Sequence, residues 1–348
     1  MTPAVFAIPG DITLATGGYA YDRRVLALLP AHGVEAHHLQ LPGSFPSPNA
    51  ADLAETTRAL AAVDPATPVM IDGLAYGALP IAHIAPLRNP LIALVHHPLC
   101  LEAGLGQERQ DELYALEKSA LAMARHVVVT SPTTAATLTA DFAVAARDIT
   151  VALPGTDPAE RARGTGRPLL LLAVGSIVPR KAYDVLVRAL ASVTIRDWQI
   201  AIVGPTDRSQ PAFAALQAAI KETGLGPHIA LPGAVGQEQL DRFYDAADLF
   251  LMPSLYEGYG MVLAEAMARG LPIVCTTGGA AAETVPADAG IKVPPGDEKA
   301  LSDAILRVLN DAGLRRRMGE ASWAAGQKLP RWDDTARIIA GVIKELTP

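Results

Sequence analysis

The chain has 348 residues, half of them hydrophobic, with two cysteines and a formal net charge of −7. This length predicts two domains of about 150 residues each. Cys100 and Cys275 lie far apart in apolar surroundings, which favours reduced structural thiols over a disulfide scaffold or metal site. No apolar run reaches the roughly 18 residues of a membrane-spanning helix, and the N-terminal residues lack a signal-peptide pattern. We therefore expect a cytoplasmic globular protein.

The charge is divided unevenly along the chain. Up to residue 160, 8 Lys and Arg stand against 16 Asp and Glu, whereas the remainder has 21 against 20. Nucleic acids and anionic lipid headgroups are bound through clusters of Lys and Arg. The acidic first half therefore predicts no nucleic-acid partner and no membrane association, although an acidic surface also simply favours solubility.

In the first half, short apolar runs alternate with amphipathic stretches. The strand-like runs are AVFAIP, VEAHHLQL, PVMIDG, PLIALVHH and HVVVTS. Between them lie helix-like segments such as YDRRVLALLPAHG, ADLAETTRALAAV and a stretch from about Glu108 to Met123. This alternation predicts a parallel sheet covered by helices. Gly17 and Gly18 stand immediately before the first helical stretch, where backbone N–H groups could approach a phosphate or an acceptor.

Polar residues follow two of these predicted strands. His96 and His97 end the run PLIALV, and Asp72 ends PVMID. Because the carboxyl end of a parallel strand faces the ligand cleft, His96 could hydrogen-bond a sugar hydroxyl, with His97 as the alternative in register. A structural role is the alternative for these residues, and it is the commoner one for a lone histidine at a strand end. The histidine pair lacks the further ligands that a metal site requires.

The second half begins after a linker rich in Pro and Gly near residues 154–168. The strand-like runs LLLLAVG, WQIAIVG, IALPG and DLFLMPS alternate with helix-like segments, which predicts a second doubly wound sheet. Two such sheets facing each other would form a ligand cleft between their strand ends. Arg180 and Lys181 lie at the first strand-to-helix junction, where they either form a solvated turn or neutralise a diphosphate.

The most informative stretch is SLYEGYGMVLAEAMARG, which spans residues 254–270. It predicts a strand, a glycine turn and a helix that starts just after Gly260. The unpaired N–H groups of that helix end would attract a diphosphate, whereas Glu257 and Glu265 would accept hydrogen bonds from sugar hydroxyls. This arrangement suits a nucleotide sugar.

Several other motifs are absent from the sequence. It contains no GxGxxG fingerprint, P-loop or HExxH, which disfavours nicotinamide, ATP-driven and zinc-protease chemistry. It also lacks the Asp-x-Asp pair that would hold a divalent ion against a diphosphate. We therefore expect neither a metal nor a bound cofactor.

Together these features resemble the retaining glycosyltransferases of family 4, whose GT-B fold has two facing Rossmann-like domains. The similarity is strongest from about Leu169 to Val293. The resemblance implies an α/β protein with an acceptor-side domain at 1–158 and a nucleotide-sugar-binding domain at 166–328. It further implies that the segment 329–348, whose last helix opens at Trp332, crosses back onto the first domain.

The resemblance also implies roles for individual residues. Glu257 would contact the donor hexose, Glu265 the ribose, and Pro232 to Val235 the base. The implied catalytic residues are His96, Arg180, Lys181 and Glu257. The implied nucleotide-sugar-binding residues are Gly17, Gly18, Val235, Tyr259, Gly260, Met261, Val262 and Glu265. Two departures from the family pattern are Ser176, where many members have arginine, and Tyr259, which replaces the commoner phenylalanine.

The implied function is transfer of a hexose from a UDP- or GDP-linked donor to a small or soluble acceptor. The transfer would retain the anomeric configuration and need no metal, because Arg180 and Lys181 stabilise the leaving diphosphate. The sequence leaves two alternatives open. One is a catalytically silent subunit that binds sugar nucleotides, and the other is a different GT-B enzyme, an epimerase or a phosphorylase.

Overall fold

A computed structural model describes residues 1–347. The chain divides into two compact units. The first unit comprises residues 1–155 together with the C-terminal stretch from Pro330, and the second comprises Thr156–Leu329. The sequence placed the corresponding domain ends at 158 and 328. No helix in the described part of the chain is both long and apolar enough to cross a membrane.

The first unit contains a six-stranded parallel sheet in the order β2-β1-β3-β4-β5-β6. Its strands are β1 (Thr2–Pro9), β2 (Val34–Leu41), β3 (Val69–Asp72), β4 (Leu91–Val95), β5 (His126–Val129) and β6 (Ile149–Val151). Its helices are α1 (Gly17–Leu28), α2 (Ala50–Ala61), α3 (Gly73–Tyr76), α4 (Ile81–Ile84), α5 (Gln107–Leu121), α6 (Pro132–Asp141) and the last helix of the chain, Trp332–Glu345. Strands β3 and β4 are buried along their whole length, as expected for a parallel sheet covered on both faces.

Helix α1 begins earlier than the sequence predicted. The side chain of Thr16 caps its first turn by accepting a hydrogen bond from the Tyr19 N–H. Gly17 and Gly18 therefore occupy the first turn of the helix and are not part of a loop before it. The prediction that both glycines precede the helix was wrong, because the Thr16 cap extends the helix by two residues.

The second unit contains a six-stranded parallel sheet in the order β12-β11-β10-β7-β8-β9. Its strands are β7 (Leu169–Val174), β8 (Trp198–Val203), β9 (Ile229–Gly233), β10 (Leu249–Met252), β11 (Ile273–Thr276) and β12 (Gly290–Val293). Its helices are α7 (Tyr183–Ala191), α8 (Gln210–Thr223), α9 (Gln237–Ala246), α10 (Met261–Ala268), α11 (Ala281–Thr284), α12 (Glu298–Asn310) and α13 (Ala312–Gly326), so that the last helix, Trp332–Glu345, is α14. The predicted fold class, two Rossmann-like doubly wound α/β domains, is confirmed.

Helix α14 belongs to the core of the first unit. Its Trp332 ring meets the edge of Tyr21 in α1, with 5.8 Å between centroids, and its Thr335 hydroxyl donates to the Leu153 carbonyl at 2.7 Å. The backbone at Gly155 lies so close to the start of α14 that a Cβ on Gly155 would be 2.2 Å from the backbone nitrogen of Trp332. The returning helix thus closes the unit beside the residue where the chain leaves it.

Candidate functional site

The strand order of the second unit brings the ends of β7 and β10 together. These strands are hydrogen-bonded neighbours at the centre of the sheet, and the chain proceeds from them towards opposite edges. In a doubly wound sheet this reversal opens a crevice at the carboxyl ends of the strands. Arg180 and Lys181 follow β7 in a short 3-10 turn, and Glu257 follows β10. Residues 76 positions apart in the sequence therefore meet at one point.

Glu257 forms ion pairs with both cations. The Lys181 Nζ lies 2.5 Å from its Oε1, and the Arg180 Nη1 lies 3.0 Å from its Oε2. All three side chains are less than a fifth exposed. Burial alone would raise the pKa of Glu257, but the charges of Lys181 and Arg180 lower it to about 2. The cluster therefore holds two positive charges against one negative charge.

A glycine pair that the sequence analysis missed fixes the backbone of Glu257. Its N–H donates to the Gly278 carbonyl at 3.2 Å, and its carbonyl accepts from the Ala280 N–H at 2.8 Å. Gly279 has a φ of +64°, and a Cβ there would lie 2.2 Å from the Glu257 oxygen. Only glycine allows this close approach. The Gly-Gly pair, separated by one residue from the buried run IVCT, was the available signal.

Helix α10 begins at Met261, as predicted, and its first turn has no side-chain cap. The capping position is Gly260, whose φ of 85° lies in the left-handed region. Uncapped N–H groups and the helix dipole make such an end attractive to anions. Tyr259, just before it, is buried, and its carbonyl accepts a hydrogen bond from Thr284.

Glu265 lies in the second turn of α10 and is held by a neighbour from α9. The Tyr244 hydroxyl donates to its Oε2 at 2.7 Å, and the Arg269 guanidinium lies over the Tyr244 ring, 4.4 Å from its centroid. Burial raises the pKa of Glu265. The sequence identified the carboxylate but not Tyr244, which orients it. Val235 follows β9 and packs, partly buried, against the hydrophobic core.

The first unit has a polar cluster of its own at the corresponding strand ends. His96 follows β4, Asp72 ends β3, and Asp22 projects from α1. The His96 Nε2 lies 3.3 Å from the Asp72 Oδ2 and 3.5 Å from the Asp22 Oδ1. A Cβ on Gly18 would lie 3.4 Å from the imidazole, so this position of α1 is in van der Waals range of the ring. His97 instead faces Glu102, at 3.1 Å.

This cluster contains the ligand types of a metal site. Within residues 1–347, Asp22, Asp72 and His96 each place one ligand atom within 4.8 Å of the others. The sequence analysis found no further ligands near the histidines, because Asp22 and Asp72 are distant in sequence and reach His96 only through the strand order and the packing of α1. Burial would lower the pKa of His96, but the two carboxylates raise it to about 10.

Comparisons with known proteins place this geometry in context. Residues 159–323 match the family described as glycosyl transferases group 1. The chain is 26% identical over 287 residues to the MMP alpha-(1->4)-mannosyltransferase of Mycolicibacterium hassiacum, covering 76% of this chain and 67% of that protein. It is 31% identical over 205 residues to the GDP-mannose-dependent alpha-(1-6)-phosphatidylinositol monomannoside mannosyltransferase of Mycobacterium tuberculosis, covering 54% of this chain. That match spans 52% of the mycobacterial protein.

The fold has solved counterparts over its whole length. The structure of sucrose-phosphate synthase from Thermosynechococcus elongatus superimposes on this chain with a TM-score of 0.81. The superposition covers 99% of each of the two chains. The sequence identity of this pair is 22%, so the likeness concerns the fold.

Proposed function

We propose that the chain, whose residues 159–323 match the group 1 glycosyl transferase family, is a retaining hexosyltransferase. The donor is a UDP- or GDP-linked sugar, and the acceptor is small or soluble. One observation carries this proposal. A buried pair of cations and an uncapped helix end follow the same two central strands, at the crevice where doubly wound sheets bind nucleotides.

In this proposal each element of the crevice holds one part of the donor. The N–H groups of Met261 and Val262 bind the diphosphate at the start of α10. Glu265, oriented by Tyr244, accepts a hydrogen bond from the ribose. Val235 lies against the base, and Glu257 contacts the hexose. Two of the relatives are named as mannosyltransferases and one of these as GDP-mannose-dependent, so GDP-mannose is the donor to test first.

The chemistry follows from charge development at the leaving group. When the bond between the anomeric carbon and the diphosphate oxygen breaks, its electron pair stays on that oxygen. Arg180 and Lys181 are fixed by Glu257 and need not reorganise, so they stabilise the transition state more than the ground state. The acceptor oxygen bonds to the same face of the anomeric carbon, and its proton passes to the leaving diphosphate. The two side chains supply the charge that a metal would otherwise provide.

Two alternative functions make different predictions. A sugar-nucleotide-binding subunit would bind the donor without turnover, and Lys181→Ala would then change no measurable activity. An epimerase would isomerise the donor in the absence of acceptor, whereas a phosphorylase would require inorganic phosphate.

The first test is a thermal-shift panel of UDP, GDP, ADP and their common sugar conjugates, with and without EDTA. Ligands that bind only the native state stabilise it by about 2.7 kcal/mol at 100 times their Kd. We expect one diphosphate nucleotide to raise the Tm, with EDTA making no difference. Loss of the shift in EDTA would overturn metal independence, and no shift with any nucleotide would overturn the transferase proposal.

Two variants locate the bound nucleotide. Glu265→Ala removes the carboxylate and should abolish the shift, whereas Tyr244→Phe keeps the carboxylate, removes its partner and should only reduce it. Glu222→Ala, at an exposed position of α8, is the matched control and should leave the shift unchanged. Equal shifts in all three variants would show that the nucleotide does not bind at the start of α10.

A further inference from the structure

The Asp22 carboxylate of the first unit is buried without a hydrogen-bond partner. Its residue on α1 is fully inaccessible, and neither carboxylate oxygen accepts a hydrogen bond from any residue that the structure describes. A buried carboxylate in this setting is costly, because desolvation opposes its charge. The groups beside it are a second buried carboxylate, that of Asp72, and the imidazole of His96. Packing alone gives no reason for two acidic side chains at this point.

The imidazole of His96 does not satisfy these carboxylates. Its Nε2 lies 3.5 Å from the Asp22 Oδ1 and 3.3 Å from the Asp72 Oδ2, but within residues 1–347 it forms a hydrogen bond with neither oxygen. Burial and the charge of Asp72 raise the pKa of the Asp22 carboxyl to about 7, so its ionised form is poorly compensated. The cluster thus holds two buried carboxylates against a single imidazole. A further positive charge between these atoms would balance it.

The spacing of the three groups matches the ligands of a tetrahedral metal ion. Each group contributes one ligand atom, and these atoms all lie within 4.8 Å of one another. Zinc binds imidazole nitrogen and carboxylate oxygen at about 2.0 to 2.2 Å, so two ligands of one tetrahedral ion are about 3.3 to 3.5 Å apart. The two separations from the His96 nitrogen, 3.3 and 3.5 Å, fall within this range.

Neighbouring groups fix these ligands and leave one side open. The Asp72 Oδ1 accepts the Leu74 N–H at 2.9 Å, so that Oδ2 is the oxygen beside His96. The His96 carbonyl accepts the Thr130 hydroxyl at 3.1 Å, and its ring stands edge-on to Tyr21, with 5.3 Å between centroids. Outer contacts of this kind orient metal ligands. The His96 side chain remains about a fifth exposed, which gives a fourth ligand, such as water, a path from solvent.

We propose that Asp22, Asp72 and His96 form a binding site for a divalent transition-metal ion of the zinc type. Mixed imidazole and carboxylate ligands suit such ions, whereas Ca²⁺ takes about six to eight oxygen ligands and Mg²⁺ requires a near-octahedral shell. The ion compensates both carboxylates and links α1 to the carboxyl ends of β3 and β4. This site belongs to the first unit alone and does not rest on the transferase proposal, in which Arg180 and Lys181 stabilise the diphosphate.

The test is zinc binding to EDTA-treated full-length protein, measured by titration calorimetry and by metal analysis after dialysis. We expect about one Zn²⁺ per wild-type chain, and binding at least about tenfold weaker in Asp22→Asn and in His96→Gln, because each variant removes a ligand. The matched control is His97→Gln, since His97 faces Glu102 at 3.1 Å and is not one of the three ligands. No binding to the wild type would overturn the proposal. Equal binding in all four proteins would mean an adventitious ion only and would overturn it as well.

Thermal stability separates a metal ligand from a carboxylate that serves folding only. Zn²⁺ should raise the Tm of the wild type, because an ion bound only to the native state stabilises it. In EDTA, Asp22→Asn should melt no lower than the wild type, since it removes a buried and poorly compensated carboxylate, and zinc should no longer raise its Tm. A lower Tm of Asp22→Asn in EDTA, together with an undiminished response to zinc, would assign Asp22 to folding and overturn the proposal.

A measurement on the wild type alone covers the case in which these variants do not fold. X-ray absorption of the zinc-loaded protein should show nitrogen and oxygen ligands at about 2.0 to 2.2 Å, including one imidazole. Sulfur at about 2.3 Å would place the ion at a cysteine and overturn the assignment. Turnover without zinc binding would count against this inference only, whereas zinc binding without turnover would count against the transferase function only.

Discussion

At the scale of single residues, the Glu257 carboxylate takes its character from two cations. A buried ion pair is strongly destabilised when one partner is removed, because the remaining charge is left without compensation. Glu257 lies 2.5 Å from Lys181 and 3.0 Å from Arg180, so removing Lys181 leaves it one paired cation. The carboxylate that the family resemblance assigns to the hexose therefore also fixes the cations assigned to the diphosphate.

A double-mutant cycle of Lys181→Met and Glu257→Gln should reveal this coupling. We expect about 1 to 3 kcal/mol at pH 7 from urea unfolding, the range for buried contacting charges. The matched control is Lys299→Met with Asp303→Asn, an exposed pair whose atoms are 2.6 Å apart. Solvent screens that pair, so its coupling should be negligible. Equal coupling energies in the two cycles would show that burial does not strengthen the ion pair between Lys181 and Glu257.

The pH dependence of the coupling has a defined sign. The folded pKa of Glu257, about 2, lies below its ordinary value of 4.5. A depressed carboxyl pKa contributes stability that is fully present above pH 4.5 and is lost as the pH falls towards 2. The coupling energy should therefore be constant from pH 7 to 5 and decline below pH 4.5. Coupling that grows on acidification would contradict an ionised Glu257.

At the scale of elements, the start of α10 depends on one glycine. Gly260 has a left-handed φ of 85°, and a Cβ there would lie 2.9 Å from the Leu263 Cδ1. A side chain at this position would therefore strain the backbone and also crowd the Leu263 side chain. The turn that directs the helix end is set by this position and by the Gly278–Gly279 pair across from it.

Gly260→Ala should lower the free energy of unfolding by more than about 1 kcal/mol and weaken nucleotide binding. Gly224→Ala is the matched control, since Gly224 also has a left-handed φ, of 67°, but a Cβ there would meet nothing within 4 Å. The control isolates backbone strain, and the difference between the variants gives the cost of crowding. Urea unfolding measures the loss of stability, and nucleotide titration measures the loss of binding. Unchanged nucleotide binding in Gly260→Ala would show that this turn does not determine the geometry of the binding site.

At the scale of the whole molecule, the first unit is discontinuous in sequence. Helix α14 returns to it and buries one apolar face in this unit, including Trp332, Ala336, Ile339 and Ile343. Burying one large apolar side chain stabilises the folded state by about 1.5 to 3 kcal/mol. The larger residues of this face together therefore contribute an amount comparable to the stability of a whole domain. The segment 1–155 therefore lacks an essential part of its own core.

We expect the segment 1–155 alone to show no cooperative thermal transition. The same segment joined to 330–348 by a short Gly-Ser linker should unfold cooperatively, because Gly155 already lies against Trp332. The continuous segment 156–329 should fold alone and bind nucleotide. Circular dichroism melts test all three chains. A cooperative melt of 1–155 equal to that of the joined chain would show that α14 is dispensable.

The sequence by itself determined the local structure. Apolar runs of four to eight residues and their helical partners follow from side-chain periodicity, so most strands and the α10 start at Met261 could be predicted. Motif chemistry likewise singled out Glu257, Lys181 and His96 as candidate site residues. The strands β6, β11 and β12 were missed.

Only the tertiary structure decided which of these residues meet. Strand order, which no local pattern encodes, brings Lys181 to Glu257 across 76 positions and brings Asp22 to His96. Asp22 stands in an ordinary amphipathic helix, and only its burial beside Asp72 distinguishes it from a surface carboxylate. Periodicity acts over a few residues, whereas charge and burial depend on neighbours that packing selects from the whole chain. For that reason the sequence could single out candidate site residues, but not the neighbours that pair with them.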